Sequence, residues 1–167
     1  MKSRHLVWLA SVAMPLGCTL AAPPGSLDVS KAAIHSIEGG PVELRGNFAM
    51  KGSHVISQGV GSLSVDEDEY TTAIITGLAE QLREHGVQVE SGADRRIEIQ
   101  VVQILIHPKP QLTCVIDFNR KLGSGPVRGL QSRAESWDGR KACAAAASQV
   151  VIDTLKDPVL RDYLGGS

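Results

Sequence analysis

The stretch RRIEIQVVQILIH, Arg95 to His107, followed by LTCVIDFNRKL, Leu112 to Leu122, decides the fold. In the first, Ile97, Ile99 and Val101 alternate in one phase, whereas Val102, Ile104 and Ile106 occupy the other. Alternation at a period of two is the mark of a half-buried strand, and a change of phase within it predicts a bulge or a change of face. The second places Cys114, Ile116 and Phe118 on one face and Val115, Asp117 and Asn119 on the other. His107-Pro108-Lys109-Pro110 turns the chain between them. Leu122-Gly123-Ser124-Gly125-Pro126 turns it again into VRGLQSRAESW, a more polar strand with Leu130, Ala134 and Trp137 as packing candidates. Three consecutive strands joined by short turns form an antiparallel meander.

Helices flank this meander. On the N-terminal side Asp66-Glu67-Asp68-Glu69 leads into YTTAIITGLAEQLREHG, where Tyr70, Ile74, Leu78 and Leu82 recur at every fourth position and Ile75 widens the stripe. That spacing predicts an amphipathic helix closed by Gly86. Its four leading acids fit a first turn, where carboxylates cap free amides and oppose the positive end of the helix dipole, better than a cation site. On the C-terminal side Asp138-Gly139 opens RKACAAAASQVVIDTLKD, whose stripe of Cys143, Ala147, Val150, Val151 and Leu155 is narrow enough to lie close against a sheet. Pro158 interrupts it before a last helical turn carrying Val159, Leu160, Tyr163 and Leu164.

Upstream the pattern weakens. Residues 28–37, DVSKAAIHSI, read as one strand stopped by Glu38-Gly39-Gly40-Pro41, and Val42 to Gly61 as one or two irregular strands or a long loop. The expected class is α+β: an antiparallel sheet of about four strands packed on two helices, in a single domain spanning 28–167. A chain of 167 residues with 43% hydrophobic content has material for one such core.

Residues 1–17 have a different character. MKSRHLVWLASVAMPLGC sets Lys2 and Arg4 before the apolar run Leu6 to Leu16, as a secretory signal does, and the run is too short to span a bilayer. Leu16-Gly17-Cys18 resembles a lipobox, which implies lipidation at Cys18, although Pro15 stands where a branched aliphatic is usual; cleavage near Thr19-Leu20-Ala21-Ala22 is the alternative. Residues 18–27, with Pro23-Pro24-Gly25, read as the lipidated cysteine and a tether. The expected location is the cell envelope, facing the periplasm, and the lack of Asp after Cys18 favours the outer membrane.

Composition narrows the function. With 17 Lys+Arg against 18 Asp+Glu there is no field to gather polyanions, so nucleic acid is not an expected partner. Aromatic residues, at 4%, offer little for stacking on bases or sugars. The five histidines, at 5, 35, 54, 85 and 107, are not at metal-ligand spacing, so no metal or other cofactor is expected. No GxSxG elbow, P-loop, GxGxxG or HExxH occurs, so an enzyme is not expected. Cys114 and Cys143 remain after Cys18, and a disulfide in an oxidising compartment and two buried thiols both fit them. Arg120, Lys121, Arg128 and Arg133 read as the solvated face of an edge strand rather than as an anion site.

The helix TAIITGLAEQLREHGVQV (72–89), the strand RRIEIQVVQILI (95–106) and the run AAASQVVIDTLKDPVLRDYL (145–164), behind a lipoprotein signal, resemble the YajG-like family of uncharacterised bacterial lipoproteins. The resemblance implies an envelope role and carries over no catalytic residues. The leading expectation is a membrane-tethered, non-catalytic interaction domain that binds another envelope protein, a lipid or peptidoglycan. An auxiliary lipoprotein of an envelope transport or lipopolysaccharide-assembly system is the alternative.

Overall fold

In a computed structural model, residues 19–21, 23–29, 39–46, 53–58 and 61–165 are described. The elements are β1 (Thr19–Ala21), β2 (Val42–Gly46), β3 (Ser53–Gln58), β4 (Gly61–Asp66), α1 (Glu67–Glu84), β5 (Arg95–Lys109), β6 (Gln111–Leu122), β7 (Arg128–Ser136), α2 (Gly139–Lys156) and α3 (Pro158–Gly165). They build a four-stranded sheet in the order β2-β5-β6-β7 and a small sheet in the order β1-β4-β3. The class is α+β, as the sequence implies. The expected signal sequence, Cys18 and residues 30–37 of the expected upstream strand lie outside the described residues. Among the described residues no helix is long and apolar enough to cross a membrane.

β5, β6 and β7 form the antiparallel meander. The fourth strand differs from the all-antiparallel expectation, because β2 runs parallel to β5, from Val42 beside Arg95 to Gly46 beside Ile99. Connectivity explains this. The chain leaves β2, visits the small sheet and returns through α1, and a helical crossover of that kind joins parallel strands. The phase change in β5 is a bulge, where the register passes from Val101 opposite Phe118 to Gln103 opposite Asp117. It keeps Ile97, Ile99, Val101, Ile104 and Ile106 all buried. Beside the bulge, the Val101 N–H donates to the Thr71 hydroxyl of α1 at 2.9 Å, so an interrupted ladder leaves no orphan donor there.

α1 begins where Asp66 accepts from the Asp68 and Glu69 amides, at 2.9 and 3.2 Å. Its stripe of Tyr70, Ile74, Leu78 and Leu82 is fully buried. Gly86, at φ 84°, takes the left-handed conformation that ends the helix. α2 lays Ala142, Cys143, Ala146, Ala147, Val150, Val151 and Leu155 in the core. The small side chains at its start let it approach the sheet closely. The expected last turn is a full helix, α3, started by the Asp157 carboxylate accepting from the Val159 amide at 2.7 Å. Tyr163 ties α3 back to β5: its hydroxyl accepts from the Arg96 amide at 2.8 Å and donates to the Arg96 carbonyl at 3.3 Å.

Of the stretch read as a tether, Thr19–Ala21 and residues 23–27 are described, and they lie against the domain. β1 pairs in parallel with β4, Thr19 beside Ser62 through Ala21 beside Ser64. Pro24 is buried and Leu27 packs on the core. Gly77 makes the room: a Cβ there would meet the Leu27 Cδ1 at 3.3 Å. An apolar residue with a notch to fill does not remain in solvent.

Candidate functional site

α1 and α2 cover one face of the four-stranded sheet, and the alternation of side chains sends the other set outward. Glu43 of β2, Arg96, Glu98 and Gln100 of β5, and Asn119 and Lys121 of β6 share the outward phase, with Glu43 beside Arg96, Glu98 opposite Lys121 and Gln100 opposite Asn119. Glu98, Gln100, Asn119, Lys121 and the exposed Val127 line a shallow cleft of about 90 Å³. Across Asn119 it adjoins a more open depression of about 320 Å³ lined by Val102, Asp117, Gly129 and Gln131. Together they form a groove across β5, β6 and β7. Gly129 contributes no side chain to fill it, and Gln131 Nε2 donates to Asp117 Oδ1 at 2.7 Å, holding one wall.

Charge is balanced at the β2 end of this face. Glu43 is paired with Arg45 at 2.9 Å and Arg96 at 3.2 Å, and Arg96 approaches Glu98 at 3.9 Å. The hydrogen bond from Arg45 holds the Glu43 carboxyl below its ordinary range, with the Gly92 amide and Arg96 assisting against partial desolvation. The groove therefore presents carboxamides, the carboxylates of Glu98 and Asp117, the Lys121 ammonium and two valines. Such a lining suits hydrogen bonding to an extended, mixed-polarity partner.

Two cross-links lie on the helix-covered side. Cys114 of β6 and Cys143 of α2 are joined as a disulfide, their Cα atoms 5.0 Å apart, within the range a bridge requires. Arg120, expected on a solvated face, is buried with only 1% of its side chain exposed, and its Nη2 donates to the Asp157 Oδ2. The reason is phase. Arg120 continues the inward series Cys114, Ile116, Phe118, and the Asp157 carboxylate after α2 meets it. Its Nε and Nη1, and the Thr154 hydroxyl, have no hydrogen-bond partner among the described residues. Burial raises the Asp157 pKa, but the Arg120 hydrogen bond, the Val159 amide and the charges of Arg120 and Arg128 more than offset it, so the carboxyl sits below its ordinary value. Lys121, Arg128 and Arg133 are half-buried or exposed.

Other expected residues stand apart. His85 caps the C-terminal end of α1 and His107 lies in β5, and no group of three or more His, Cys, Asp and Glu able to hold a metal occurs among the described residues. Glu67, Asp68 and Glu69 occupy the first turn of α1 behind the capping Asp66. Trp137, expected to pack, is 75% exposed at the end of β7. It stands one residue past the strand, where the alternation no longer governs direction.

No protein-family model matches this sequence, and no curated protein matches it. Among solved structures, a Xanthomonas campestris protein of the family model DUF330 is similar, with a TM-score of 0.54 and 13% identity over 89% of this chain and 96% of that one. An uncharacterised protein gives a TM-score of 0.45 and 12% identity, covering 86% of this chain and 97% of the other. At 13% identity the first likeness shows a shared fold, one found in an uncharacterised bacterial family.

Proposed function

We propose that this chain is an exported envelope lipoprotein of the YajG-like kind, acylated at Cys18, whose domain is a non-catalytic binding module. The observation that carries the proposal is the run Lys2 to Cys18, with two early cations, an apolar stretch of sub-membrane length and Leu16-Gly17-Cys18 at its end. The binding surface is the groove on the open sheet face, between Glu98, Gln100, Asn119 and Lys121 at one end and Asp117, Gly129 and Gln131 at the other. Its occupant is another envelope protein, offering an extended segment.

Intact mass of the protein extracted from membranes of a Gram-negative host tests the anchor. Acyl mass that disappears in Cys18→Ala supports it; a soluble, unmodified product overturns it. For the groove, Gly129→Arg fills the depression without disturbing the core. Cross-linking in whole cells should then recover at least tenfold less of the envelope protein captured by the wild type. If that protein is a transporter component, the auxiliary-subunit reading holds; equal capture by both forms overturns the groove.

A further inference from the structure

The residues that follow Cys18 bear on how the domain meets the membrane. Thr19, Leu20 and Ala21 are paired with Ser62, Leu63 and Ser64. β4 is no loose appendage: Leu63 and Val65 belong to the core, and the strand runs directly into α1. Beyond β1, Pro23, Pro24 and Gly25 lie beside Asp66, Asp68 and Thr72, and Leu27 seats near Gly77 and Val151. Thr19–Ala21 thus follow β4, and residues 23–27 follow the first half of α1.

A free segment of about ten residues would let the domain wander roughly 17 to 19 Å from its anchor on average. Docked, it leaves one peptide unit, about 3.8 Å between Cα atoms, from Cys18 to a paired residue. We infer that the domain is seated on the bilayer rather than suspended from it, with the end of the small sheet that holds Thr19, Ser62 and the Gln58–Gly61 pair at the lipid headgroups. This inference rests on the acylation of Cys18 proposed above.

The opposite end of the molecule follows from the same contacts. α1 extends about 27 Å over its 18 residues, at 1.5 Å per residue, away from β4. Past its far end, the Gln88 carbonyl accepts from the Val42 amide at 2.9 Å, at the start of β2. Val42 pairs with Arg95, and the Gly123 amide donates to the Arg96 carbonyl at 2.8 Å, which places the β6–β7 hairpin at that end too. The hairpin therefore points away from the membrane, and the groove beside Val127 faces outward with it.

Two single-cysteine probes test this seat, because acylation consumes Cys18 and the disulfide consumes Cys114 and Cys143. Acylated Gln58→Cys and Ser124→Cys proteins are labelled with bimane and reconstituted in phosphatidylethanolamine–phosphatidylglycerol vesicles bearing a headgroup nitroxide. Gln58, which pairs with Gly61 at the end of β3, should be quenched at least threefold more than Ser124. Inserting ten Gly and Ser residues between Cys18 and Thr19 should bring Gln58 down to the Ser124 level. Equal quenching at both positions in protein of verified acyl mass overturns the seat and leaves the lipoprotein reading standing; absence of acyl mass overturns both.

Discussion

β6 is fastened to the helical layer at two places, by opposite chemistry. At one end Cys114 is bonded to Cys143 near the start of α2; at the other Arg120 is paired with Asp157 just after its end. The spacings match: residues 114 to 120 span about 20 Å as a strand, and residues 143 to 157 about 21 Å as a helix. α2 therefore lies along β6 with both its ends fixed. The first tie sits in a dry aliphatic setting and acts mainly by limiting the unfolded chain. The second places the Arg120 guanidinium in the interior, where it is held by the Asp157 carboxylate and, among the described residues, two of its nitrogens have no partner. One tie is indifferent to charge and pH, and the other depends on both.

Removing the carboxylate charge is the hardest test of that contrast. Asp157→Asn keeps an oxygen to accept from the Val159 amide but leaves Arg120 buried without a counter-charge, a change expected to cost about 3 to 5 kcal/mol. The double variant Arg120→Met with Asp157→Asn should recover most of the loss, since an apolar pair needs no compensation. Urea unfolding at neutral pH measures both. A double variant no more stable than the single one would show that Arg120 is held by something other than its charge partner.

Opening the other tie comes next in size. Reducing the disulfide, which spans 29 residues, or replacing both cysteines by alanine, should lower stability by about 3 to 4 kcal/mol in the chain-entropy account. The loss should be nearly additive with that of Asp157→Asn, because the two sites are far enough apart to share no partner. Strong non-additivity in a double-mutant cycle would mean that α2 moves as one body once either end is freed.

A third link between the layers is weaker and local. Thr71→Val removes the oxygen that accepts from the Val101 amide beside the β5 bulge and keeps the side-chain shape. A buried amide left unsatisfied costs about 1 to 3 kcal/mol. Hydrogen exchange at Val101 should rise at least tenfold relative to Phe118; unchanged exchange would show that the bulge satisfies its own amide.

How much of this was legible from sequence differs residue by residue. The bulge was, because Ile97 to Ile106 break phase within one strand, and keeping both halves of such a strand on the core takes one extra residue between them. The inward place of Arg120 was also written in the alternation from Cys114, but its charge argued for solvent, and only its contact with Asp157, 37 residues on, resolves the conflict. β1 gave no signal, since three residues whose partners lie 43 positions away carry no local periodicity. The parallel setting of β2 is decided by the path through α1, not by Val42 to Gly46. The groove was hidden for a related reason: which side chains line it depends on cross-strand register, and the bulge shifts that register by one.

Acid separates the two ties most cleanly, with the smallest effect. Asp157 has a folded pKa below its unfolded value, about 3.9 for an aspartate, so its contribution is fully present above that pH and is lost as pH falls through the folded value. Between about pH 5 and pH 2 the wild type should lose stability more steeply than the Arg120→Met, Asp157→Asn protein, by a fraction of the Asp157→Asn cost. Reduction should lower the whole curve without changing its slope in that window, because the bonded sulfurs do not titrate. Identical slopes in the wild type and the double variant would assign the acid response to other carboxylates, with Glu43, also below its ordinary range, the first to examine by Glu43→Gln. A slope that changes on reduction would mean that the disulfide end governs the exposure of Asp157, and that the two ties work as one.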